Sequence, residues 1–422
     1  MSISHQDAAR WGDGSRRVYE QGPQAAVIGA GCVAAAPATP LGSVPRVEER
    51  RVAFDIGPCH GHRTGIGTAV AEIADAFARR HTARRFEIDA ELITLLPYVL
   101  SARASAVPGE RKLPLPAALA QRLWSRLDWP RLDPWLGDVD VIHGTNYVVP
   151  PSRIPSLVSV YDCWFLAHPE LAGAAVARAG AVLRRRVAGG AHVHASSDAT
   201  AAAVRTLLGT EAVTTVHLGR PTVPPPPARA PVSGLPNGPF VAAIGTRERR
   251  KNLPRLFEAF DLLTADAVGG DVALVVAGAP GDDDAATTVA LSRLSGTARR
   301  RTWLLGTIGD TTRSWLLHRA SAIAYPSLDE GFGFPVLEAQ TVGVPIVASR
   351  CGSLAEVGGD GVEYVDPLDP ADIARGLARV LGDSARRTEL RCAGMANLDR
   401  FSWDDTVDGL ARLYTSLARG EW

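Results

Sequence analysis

Short apolar runs alternate along the chain with longer segments in which apolar residues recur every three or four positions. The first pattern is typical of buried strands and the second of helices that cover a sheet, so their alternation predicts an α/β fold. Strands are predicted at residues 51–56, 85–95, 139–143, 156–161, 193–195, 213–217, 240–244, 272–277, 302–305, 322–325 and 344–348. Helices are predicted at residues 68–80, 253–263, 371–381, 388–397 and 401–418, and from residue 335.

A proline-rich stretch divides this pattern in two. Residues 219–239 contain eight prolines, four of them consecutive at 224–227, and this composition predicts a stiff linker. A chain of 422 residues is long enough for two domains that each bury a core. We therefore expect two doubly wound, Rossmann-like domains at residues 51–218 and 240–400 that face a central cleft, and a C-terminal helix at 401–422 that packs back on the first domain.

Composition narrows the classes of partner and compartment. The 45 basic and 45 acidic residues give a net charge of zero, so no electrostatic case exists for nucleic acid binding. The five cysteines are odd in number and scattered, which favours a reducing cytoplasm over a disulfide-stabilised exterior. No sequence stretch reaches the roughly 18 apolar residues of a membrane span. Lysine occurs only at Lys112 and Lys251, and the other basic residues are arginines. A lysine in such a sequence is therefore a candidate for a specific role.

Residues 1–50 are expected to be a disordered leader. The arginine pair within 15–19, followed by small and apolar residues at 25–38, faintly resembles a twin-arginine export signal, so export is an alternative to a cytoplasmic location.

The most informative stretch is residues 322–349, which predicts a strand, a glycine-containing loop, a helix and a second strand. Pro335 suits the first helical position, where no backbone N–H is needed. Gly331 and Gly333 predict a close approach of the loop backbone to another group. Because N–H groups at such a helix start bind anions, phosphate is the expected guest.

Two carboxylates, Glu330 and Glu338, flank this predicted phosphate site. A carboxylate beside a bound diphosphate is explained if it accepts hydrogen bonds from sugar hydroxyls. The stretch therefore indicates a ligand with both phosphate and sugar groups, namely a nucleotide sugar.

Basic residues follow the first strand of the second half, in the sequence GTRERRKNL at 245–253. Arg250 and Lys251 are predicted to project into the same cleft as the loop at 331–335. Because cations at a helix start oppose the helix dipole, an anionic partner is expected, with a solvated helix start as the alternative.

A second glycine-rich loop, with Gly65, Ile66 and Gly67, separates the first predicted strand from the first predicted helix. Its position predicts a phosphate-approach element from the first half. The cysteine and histidines within 59–62 could be metal ligands, but one tight loop rarely supplies a tetrahedral set, so no metal is expected.

Other polar and aromatic groups are ambiguous. His143 and Asn146 end a predicted strand, and either a cleft position or a satisfied core histidine fits His143. Trp124, Trp129 and Trp135 lie among arginines and prolines. Their spacing predicts a packed helix pair, and a surface for a lipid-linked acceptor at a membrane is the alternative.

The pairing of GTRERRKNL with EGFGFPVLEA, at residues 245–253 and 330–339, resembles the large retaining glycosyltransferase family four, also called glycosyl transferases group 1, whose fold is GT-B. The seven residues between the two glutamates are a specific part of this resemblance. The similarity extends over most of residues 51–418 and is strongest in the second half. In the first half, RTGIG, DVIHGTNYVVPP and VSVYDCWFLAHPE resemble the mannosyl- and rhamnosyltransferase-like branch.

The resemblance implies roles for particular residues. Glu338 would bind the ribose hydroxyls and Glu330 the donor sugar or its phosphate. Arg250 and Lys251 would bind the diphosphate, and Asp162 would lie near the acceptor or the sugar, which makes Arg250, Lys251, Glu330 and Asp162 the implied catalytic set. The implied donor-binding residues are Gly65, Ile66, Gly67, Gly245, Gly331, Phe332, Gly333, Phe334, Pro335, Val336, Leu337 and Glu338.

Two positions depart from the family pattern. Thr246 follows the glycine where members often carry arginine, and Tyr161 replaces the histidine of a His-Asp pair. Because that histidine is missing, Asp162 is the better candidate for a role near the acceptor.

The resemblance implies metal-independent, retaining transfer of a hexose from a nucleoside diphosphate sugar to a saccharide, lipid-linked or small-molecule acceptor, without a further cofactor. GDP-mannose is the first donor expected, followed by donors of rhamnose and glucose. A nucleotide-sugar epimerase of the same fold and a non-catalytic nucleotide-sugar-binding subunit are the alternatives. A user of nucleotide sugars is expected in the cytoplasm, with peripheral membrane contact if the acceptor is lipid-linked.

Overall fold

A computed structural model describes residues 48–60, 64–82, 91–100, 110–265 and 269–421. Expectations for residues 1–47, for His62 and for the first part of the strand predicted at 85–95 lie outside these ranges. Residues 46–422 belong to one unit, so contacts between the two halves of the chain are described below.

The first seven described strands form one parallel sheet in the order β3-β2-β1-β4-β5-β6-β7. The strands are β1 (Glu48–Asp55), β2 (Glu91–Val99), β3 (Arg111–Lys112), β4 (Val141–Gly144), β5 (Ser156–Val160), β6 (His192–Ala195) and β7 (Val213–Thr215). The helices of this half are α1 (Gly65–Thr82), α2 (Ala117–Trp124), α3 (Asp133–Leu136), α4 (Trp164–Ala167), α5 (Ala174–Ala188) and α6 (Asp198–Leu208).

The next six described strands form a second parallel sheet in the order β10-β9-β8-β11-β12-β13. The strands are β8 (Phe240–Ile244), β9 (Ala273–Ala277), β10 (Thr302–Leu304), β11 (Ala322–Tyr325), β12 (Ile346–Ala348) and β13 (Glu363–Tyr364). The helices that follow β8 are α7 (Leu253–Ala265), α8 (Asp284–Arg293), α9 (Gly296–Arg300), α10 (Asp310–Arg319), α11 (Phe334–Thr341), α12 (Leu354–Gly358), α13 (Pro370–Gly382), α14 (Ser384–Asn397) and α15 (Trp403–Arg419).

The strand order reverses beside the first strand of each sheet. β1 lies between β2 and β4, and β8 lies between β9 and β11. Ligands of doubly wound sheets bind outside the carboxyl ends of the strands at such a reversal. The predicted fold, two doubly wound α/β sheets, is confirmed, and the reversal at β8 and β11 places the loops at 245–252 and 326–333 side by side.

Several element bounds differ from the predicted ones. β1 begins at Glu48, inside the predicted leader. α1 begins at Gly65, so Gly67 is helical rather than part of a loop. α11 begins at Phe334, and Pro335 takes its second position, where the missing N–H is still without an intrahelical acceptor.

The prediction that the tryptophan segment forms a packed helix pair is only partly right. Trp124 is fully buried beside Leu132 and Leu136. Trp129 is 67% exposed and Trp135 is 48% exposed. The helical spacing of apolar residues therefore identified a buried face but assigned too many residues to it.

The last helix, α15, lies against the sheet of the first half. The ring of Tyr414 packs on Phe77 of α1, and its hydroxyl forms a hydrogen bond of 2.7 Å with Nδ1 of His143 in β4. Arg80 of α1 donates to Asp408 of α15 at 2.9 Å. The C-terminal helix thus supplies part of the core of the N-terminal sheet.

Residues 219–239 contain no helix or strand. The beginning of this segment packs on the start of α15, because a Cβ at Gly219 would lie 2.5 Å from Trp403. The indole nitrogen of Trp403 donates to the carbonyl of Arg220 at 2.9 Å. The proline-rich segment and the start of α15, which are the two places where the chain passes from one half to the other, are therefore in contact. Among the described helices, none has the length and apolar content that crossing a bilayer requires.

Candidate active site

The loops that follow β8 and β11 carry the charged residues of the candidate site. Arg250 and Lys251 lie in a 3-10 turn, Arg249–Lys251, which ends at Asn252 in the left-handed conformation (φ 59°). The turn leads directly into α7, which begins at Leu253 as predicted. The Asn252 amide donates to the carbonyl of Pro326 at 3.0 Å, which joins this turn to the loop after β11.

Glu330 binds both cations in a buried cluster. Lys251 Nζ donates to Glu330 Oε1 at 2.6 Å, and Arg250 donates to the other carboxylate oxygen. Lys251 also donates to the Tyr325 hydroxyl at 2.6 Å. The side chains of Glu330, Lys251 and Arg250 are 5%, 12% and 18% exposed, so water screens these charges little.

The cluster fixes the protonation of its members. Burial alone would raise the pKa of Glu330, but Lys251 and Arg250 outweigh burial and lower this pKa to about 2. Burial lowers the pKa of Lys251, and the attraction of Glu330 opposes that effect. Burial and Glu330 raise the pKa of Tyr325 well above its ordinary value. At neutral pH Glu330 is therefore an anion that only accepts hydrogen bonds.

The stem of Lys251 lies beside Gly245 at the end of β8. A Cβ at Gly245 would meet Lys251 Cε at 3.5 Å, within ordinary van der Waals contact. Gly245 also pairs with the neighbouring strand, since its N–H donates to the carbonyl of Ala277 at 2.9 Å. Thr246, the position that departs from the family pattern, is partly exposed and follows directly.

The start of α11 offers free amides next to the charged cluster. Gly333 is the N-cap, with φ 100°, a backbone conformation that favours glycine. Within the described chain, the N–H groups of Phe332, Gly333 and Phe334 donate no hydrogen bond. Because these amides lie at the positive end of a helix dipole, they can bind an anion there.

The close approach predicted at Gly331 is found, and its partner is the first half of the chain. A Cβ at Gly331 would lie 1.5 Å from the carbonyl oxygen of Tyr161. The Gly331 carbonyl accepts hydrogen bonds from Ser197 Oγ at 2.7 Å and from Thr200 Oγ1 at 3.0 Å. This glycine therefore docks the loop after β11 onto the residues that follow β5 and β6.

Glu338 is held by an arginine that the sequence analysis missed. Arg313 of α10 donates through Nε to Glu338 Oε1 at 3.1 Å and through Nη2 to the other oxygen, which is a bidentate pair. Glu338 is 8% exposed. Arg313 lies in a helix, Asp310–Arg319, that the apolar pattern did not predict, so no signal in the sequence pointed to this residue.

Asp162, from the first half, lies close to the same cluster. Burial lowers the pKa of Arg250, and the carboxylates of Glu330, Glu248 and Asp162 together raise it above its ordinary value. Burial, followed by the charges of Asp162 and Glu330, raises the pKa of Asp329. Carboxylates from both halves of the chain therefore surround the guanidinium group of Arg250.

Tyr147 orients Asp162 and was also missed. Its hydroxyl donates to Asp162 Oδ2 at 3.1 Å, while the Trp164 amide donates to Oδ1 at 3.2 Å. Tyr147 has φ 59°, a strained conformation for an aromatic residue and one that is concentrated at functional sites. Burial chiefly raises the pKa of Tyr147, so its hydroxyl remains a donor.

Tyr161 and His143, two residues considered in the sequence analysis, belong to the core of the first half. Tyr161, at the position of the family histidine, is 6% exposed and packs edge-on against Tyr147 and His194. His143 is fully buried and bonded to Tyr414 and to Ser159. Burial lowers the pKa of His143, so it is a neutral core histidine.

The glycine-rich segment of the first half meets the second half through an aromatic ring. A Cβ at Gly65 would lie 3.7 Å from the ring of Phe334. Ile66 packs in the same apolar cluster as Phe334. Gly67 donates its N–H to Thr64 Oγ1 at 3.4 Å. The proximity of this segment to the start of α11 agrees with a shared ligand site, and its phosphate contact stays a prediction.

A second contact between the halves involves Glu356 of α12. Its carboxylate accepts the N–H groups of Asp198 at 2.8 Å and Ala199 at 3.1 Å, at the start of α6. His217 Nε2 lies 2.5 Å from Glu356 Oε1. Asp198, His217 and Glu356 are close enough to hold a metal ion, but the oxygens of Glu356 already serve the helix start.

The comparisons with known proteins agree with this geometry. Residues 230–395, which include both loops of the candidate site, match the family described as glycosyl transferases group 1. The resemblance to this family is therefore confirmed for the second half of the chain.

Named relatives cover part of this chain and part of their own length. The chain is 33% identical over 180 residues to O-antigen chain mannosyltransferase B of Escherichia coli, which is 42% of this chain and 46% of that protein. It is 34% identical over 189 residues to D-inositol 3-phosphate glycosyltransferase of Salinispora arenicola, which is 43% of this chain and 42% of that protein. The chain thus spans less than half the length of these relatives.

Solved structures share the fold over nearly the whole described chain. A sucrose-phosphate synthase from Thermosynechococcus elongatus aligns with a TM-score of 0.65 and 17% identity, over 88% of this chain and 100% of that chain. WaaG, a glycosyltransferase involved in lipopolysaccharide biosynthesis, aligns with a TM-score of 0.61 and 16% identity, over 87% and 99%. At these identities the similarity shows the GT-B fold alone.

Proposed function

Because residues 230–395 form a glycosyl transferases group 1 domain, we propose that this chain transfers a hexosyl group from a nucleoside diphosphate sugar to an acceptor hydroxyl. The observation that carries the proposal is the buried cluster of Arg250, Lys251 and Glu330 beside the free amides at the start of α11. Two fixed cations and a helix start suit a diphosphate, while a carboxylate between them suits sugar hydroxyls.

The donor lies across the carboxyl ends of β8 and β11 in this proposal. The diphosphate binds the N–H groups of Phe332 to Phe334 together with Arg250 and Lys251. The ribose hydroxyls donate to Glu338, whose carboxylate keeps lone pairs beyond those that Arg313 uses. Glu330 accepts hydroxyl groups of the donor sugar, and the ionised state of Glu330 at neutral pH supports this role.

The reaction breaks the bond between the anomeric carbon and the diphosphate oxygen and forms a bond from that carbon to the acceptor oxygen. Negative charge grows on the departing diphosphate, where Arg250 and Lys251 stabilise it. The acceptor proton passes to the departing phosphate oxygen on the same face, which retains the anomeric configuration. No metal takes part in this scheme, and the two cations supply the charge stabilisation.

The acceptor enters from the first half in this proposal. Asp162, held by Tyr147, accepts a hydrogen bond from a hydroxyl of the acceptor or of the transferred sugar. The acceptor is a saccharide, a lipid-linked saccharide or a small polyol. The name of the Escherichia coli relative, an O-antigen chain mannosyltransferase, makes mannose the first sugar to test and GDP-mannose the first donor.

Thermal shift with nucleotides is the first test. GDP, UDP and dTDP are added separately to the full chain, and one of them should raise the melting temperature, since a ligand that binds only the folded state stabilises it. The Lys251→Ala variant should lose this shift. If all three nucleotides leave the melting temperature unchanged, the donor assignment is wrong.

Turnover then separates transfer from the two alternatives. The matching nucleotide sugar is incubated with an acceptor panel, with and without EDTA, and the anomeric configuration of the product is read by NMR. Conversion of the donor without any acceptor would instead indicate an epimerase. Donor binding without turnover against any acceptor would indicate a non-catalytic subunit, and loss of turnover in EDTA would contradict the metal-independent scheme.

A further inference from the structure

Asp55 is a buried carboxylate that the proposed transfer scheme does not use. It ends β1, the strand at which the order of the first sheet reverses, and it is 8% exposed. Its Oδ1 accepts the N–H of Gly57 at 2.8 Å. Within the described chain, no other group donates to this carboxylate and no cation pairs with it. Because burying a charge without a partner is costly, a partner from outside the chain is expected.

Tyr98, on the neighbouring strand, has a second unsatisfied group. Asp55 and Tyr98 are register partners in the parallel strands β1 and β2, so their side chains lie on the same face of the sheet. Tyr98 is fully buried, and its hydroxyl has no hydrogen-bond partner among the residues that the structure describes. A buried tyrosine hydroxyl is normally bonded. Burial, followed by the charge of Asp55, raises the pKa of Tyr98 well above its ordinary value, so its hydroxyl remains a donor.

Both residues lie on the acceptor side of the candidate site. Ligands of doubly wound sheets bind outside the carboxyl ends of the strands where the strand order reverses, and Asp55 ends that strand of the first sheet. Burial chiefly raises the pKa of Tyr161, and the charges of Cys59 and Asp55 add to this effect. The carbonyl of Tyr161 is the group that Gly331 approaches. Asp55 therefore lies near a residue that contacts the loop after β11.

The chemistry around Asp55 favours a neutral hydroxyl group as the partner. Burial raises the pKa of Asp55 to about 7, and the Gly57 N–H opposes this rise. Near neutral pH, a carboxyl group with this pKa can accept a hydrogen bond from a hydroxyl or donate one to it. A phosphate or carboxylate on the ligand would meet another anion, with no described cation paired to it. A sugar hydroxyl therefore fits beside Asp55, and an anionic substituent does not.

We propose that Asp55 and Tyr98 bind a hydroxyl group of a neutral sugar unit in the acceptor. This inference rests on the proposed function and adds the class of acceptor to it. The sugar hydroxyl donates to the Asp55 carboxylate and accepts from the Tyr98 hydroxyl, so both buried groups gain a partner when the acceptor binds. Asp55 contacts the acceptor and not the donor.

Saturation-transfer NMR tests the inference without turnover. The full chain, with the nucleoside diphosphate that stabilises it, is titrated with methyl α-mannoside, methyl α-rhamnoside, methyl α-glucoside and mannose 6-phosphate. A neutral glycoside should bind, and methyl α-mannoside should bind more tightly than mannose 6-phosphate. Asp55→Asn still accepts the Gly57 N–H but loses the second acceptor atom, so the dissociation constant of the glycoside should rise about tenfold. Tyr98→Phe, which removes only the hydroxyl, should raise the constant by a smaller factor.

Asp138→Asn is the matched control. Asp138 precedes β4 at the amino ends of the strands, and its side chain is 95% exposed, so this variant should bind the glycoside like the parent. All three variants should bind the nucleoside diphosphate with parental affinity in isothermal titration.

Two results would overturn the inference. If Asp55 only forms the turn at Gly57, Asp55→Asn should bind the glycoside as tightly as the parent does. A parent that prefers mannose 6-phosphate, or that binds no neutral glycoside, would exclude a neutral sugar at this place. The proposed function is judged separately, because a chain that binds a nucleoside diphosphate but no neutral glycoside contradicts this inference alone. A chain that binds no nucleotide contradicts the proposed function.

Discussion

Lys251 Nζ lies 2.6 Å from Oε1 of Glu330, and both side chains are almost fully buried. The carboxylate therefore neutralises the cation in the same place where the proposed diphosphate would do so. A diphosphate that binds there has to share Lys251 and Arg250 with Glu330. In the proposed complex, hydrogen bonds from the sugar hydroxyls to the Glu330 carboxylate replace those that the two cations transfer to the diphosphate.

Replacing Glu330 by glutamine should separate binding from transfer. The variant removes the negative charge that competes for Lys251 and Arg250, so the nucleoside diphosphate alone should bind as tightly as to the parent or more tightly. Transfer should fall on the order of 100-fold, because the sugar loses its charged acceptor. Isothermal titration measures the first quantity and initial rates the second.

Glu248→Gln is the control for this variant. Glu248 also pairs with Arg250, at 2.7 Å, but its side chain is 34% exposed. Its replacement should change transfer far less than Glu330→Gln does. An E330Q variant with parental turnover would remove Glu330 from the site.

Arg313→Gln should weaken binding of the nucleoside part of the donor. Glu338 would lose its bidentate partner and become free to turn away from the ribose, so the dissociation constant for nucleoside diphosphate should rise about tenfold. Arg319→Gln, on the exposed side of the same helix, is the matched control and should leave the constant unchanged. Inorganic pyrophosphate, which has no ribose, should bind both variants alike, and a parallel loss there would contradict a ribose-specific role.

Gly331→Ala should damage the docking of the site loop. Its Cβ would lie 1.5 Å from the Tyr161 carbonyl, a contact that only a backbone shift relieves. We expect a lower melting temperature and transfer reduced on the order of 100-fold, since a small displacement of a catalytic loop is enough for such a loss. Gly173→Ala, with nothing within 4 Å of the added Cβ, is the control. Parental stability and rate in Gly331→Ala would show that the loop does not dock as described.

Acid should destabilise the first half through its buried histidines. Burial lowers the pKa of His194 to about 4 and lowers that of His143 well below its ordinary value. Between pH 6.5 and 4 the unfolded chain therefore binds protons that the folded chain does not, and stability falls by up to about 1.4 kcal/mol per pH unit for each histidine. Urea unfolding across this range measures the slope.

The variant His194→Gln should be less stable at neutral pH but should show a shallower slope over the same range. An identical slope in parent and variant would mean that other groups cause the acid sensitivity.

The sequence predicts β8 and β11 residue for residue, because a buried parallel strand is an uninterrupted apolar run that ends where loop residues begin. The charged loops after those strands were recognised from residue types that suit phosphate and sugar. The group that contacts Gly331 could not be predicted. The carbonyl of Tyr161 is 170 residues away in sequence, and only the packing of the two sheets brings it next to Gly331.

Arg313 and Tyr147 show two further reasons why the site could not be predicted fully from the sequence. Arg313 is one of many arginines, and its pairing with Glu338 depends on how α10 lies against α11. The left-handed backbone of Tyr147 is enforced by the surrounding turn, against the preference of the residue itself. Trp124 and Trp129 have the same side chain, and only the path of the chain decides which of them is buried.

The position of α15 bears on how this protein can be divided. Tyr414 and Asp408 of that helix contact His143, Phe77 and Arg80 of the first half. A fragment that ends in the proline-rich segment would leave one wall of the N-terminal core uncovered. An expression plasmid for the acceptor-side half should therefore encode residues 403–419 as well, joined to the fragment by a short linker.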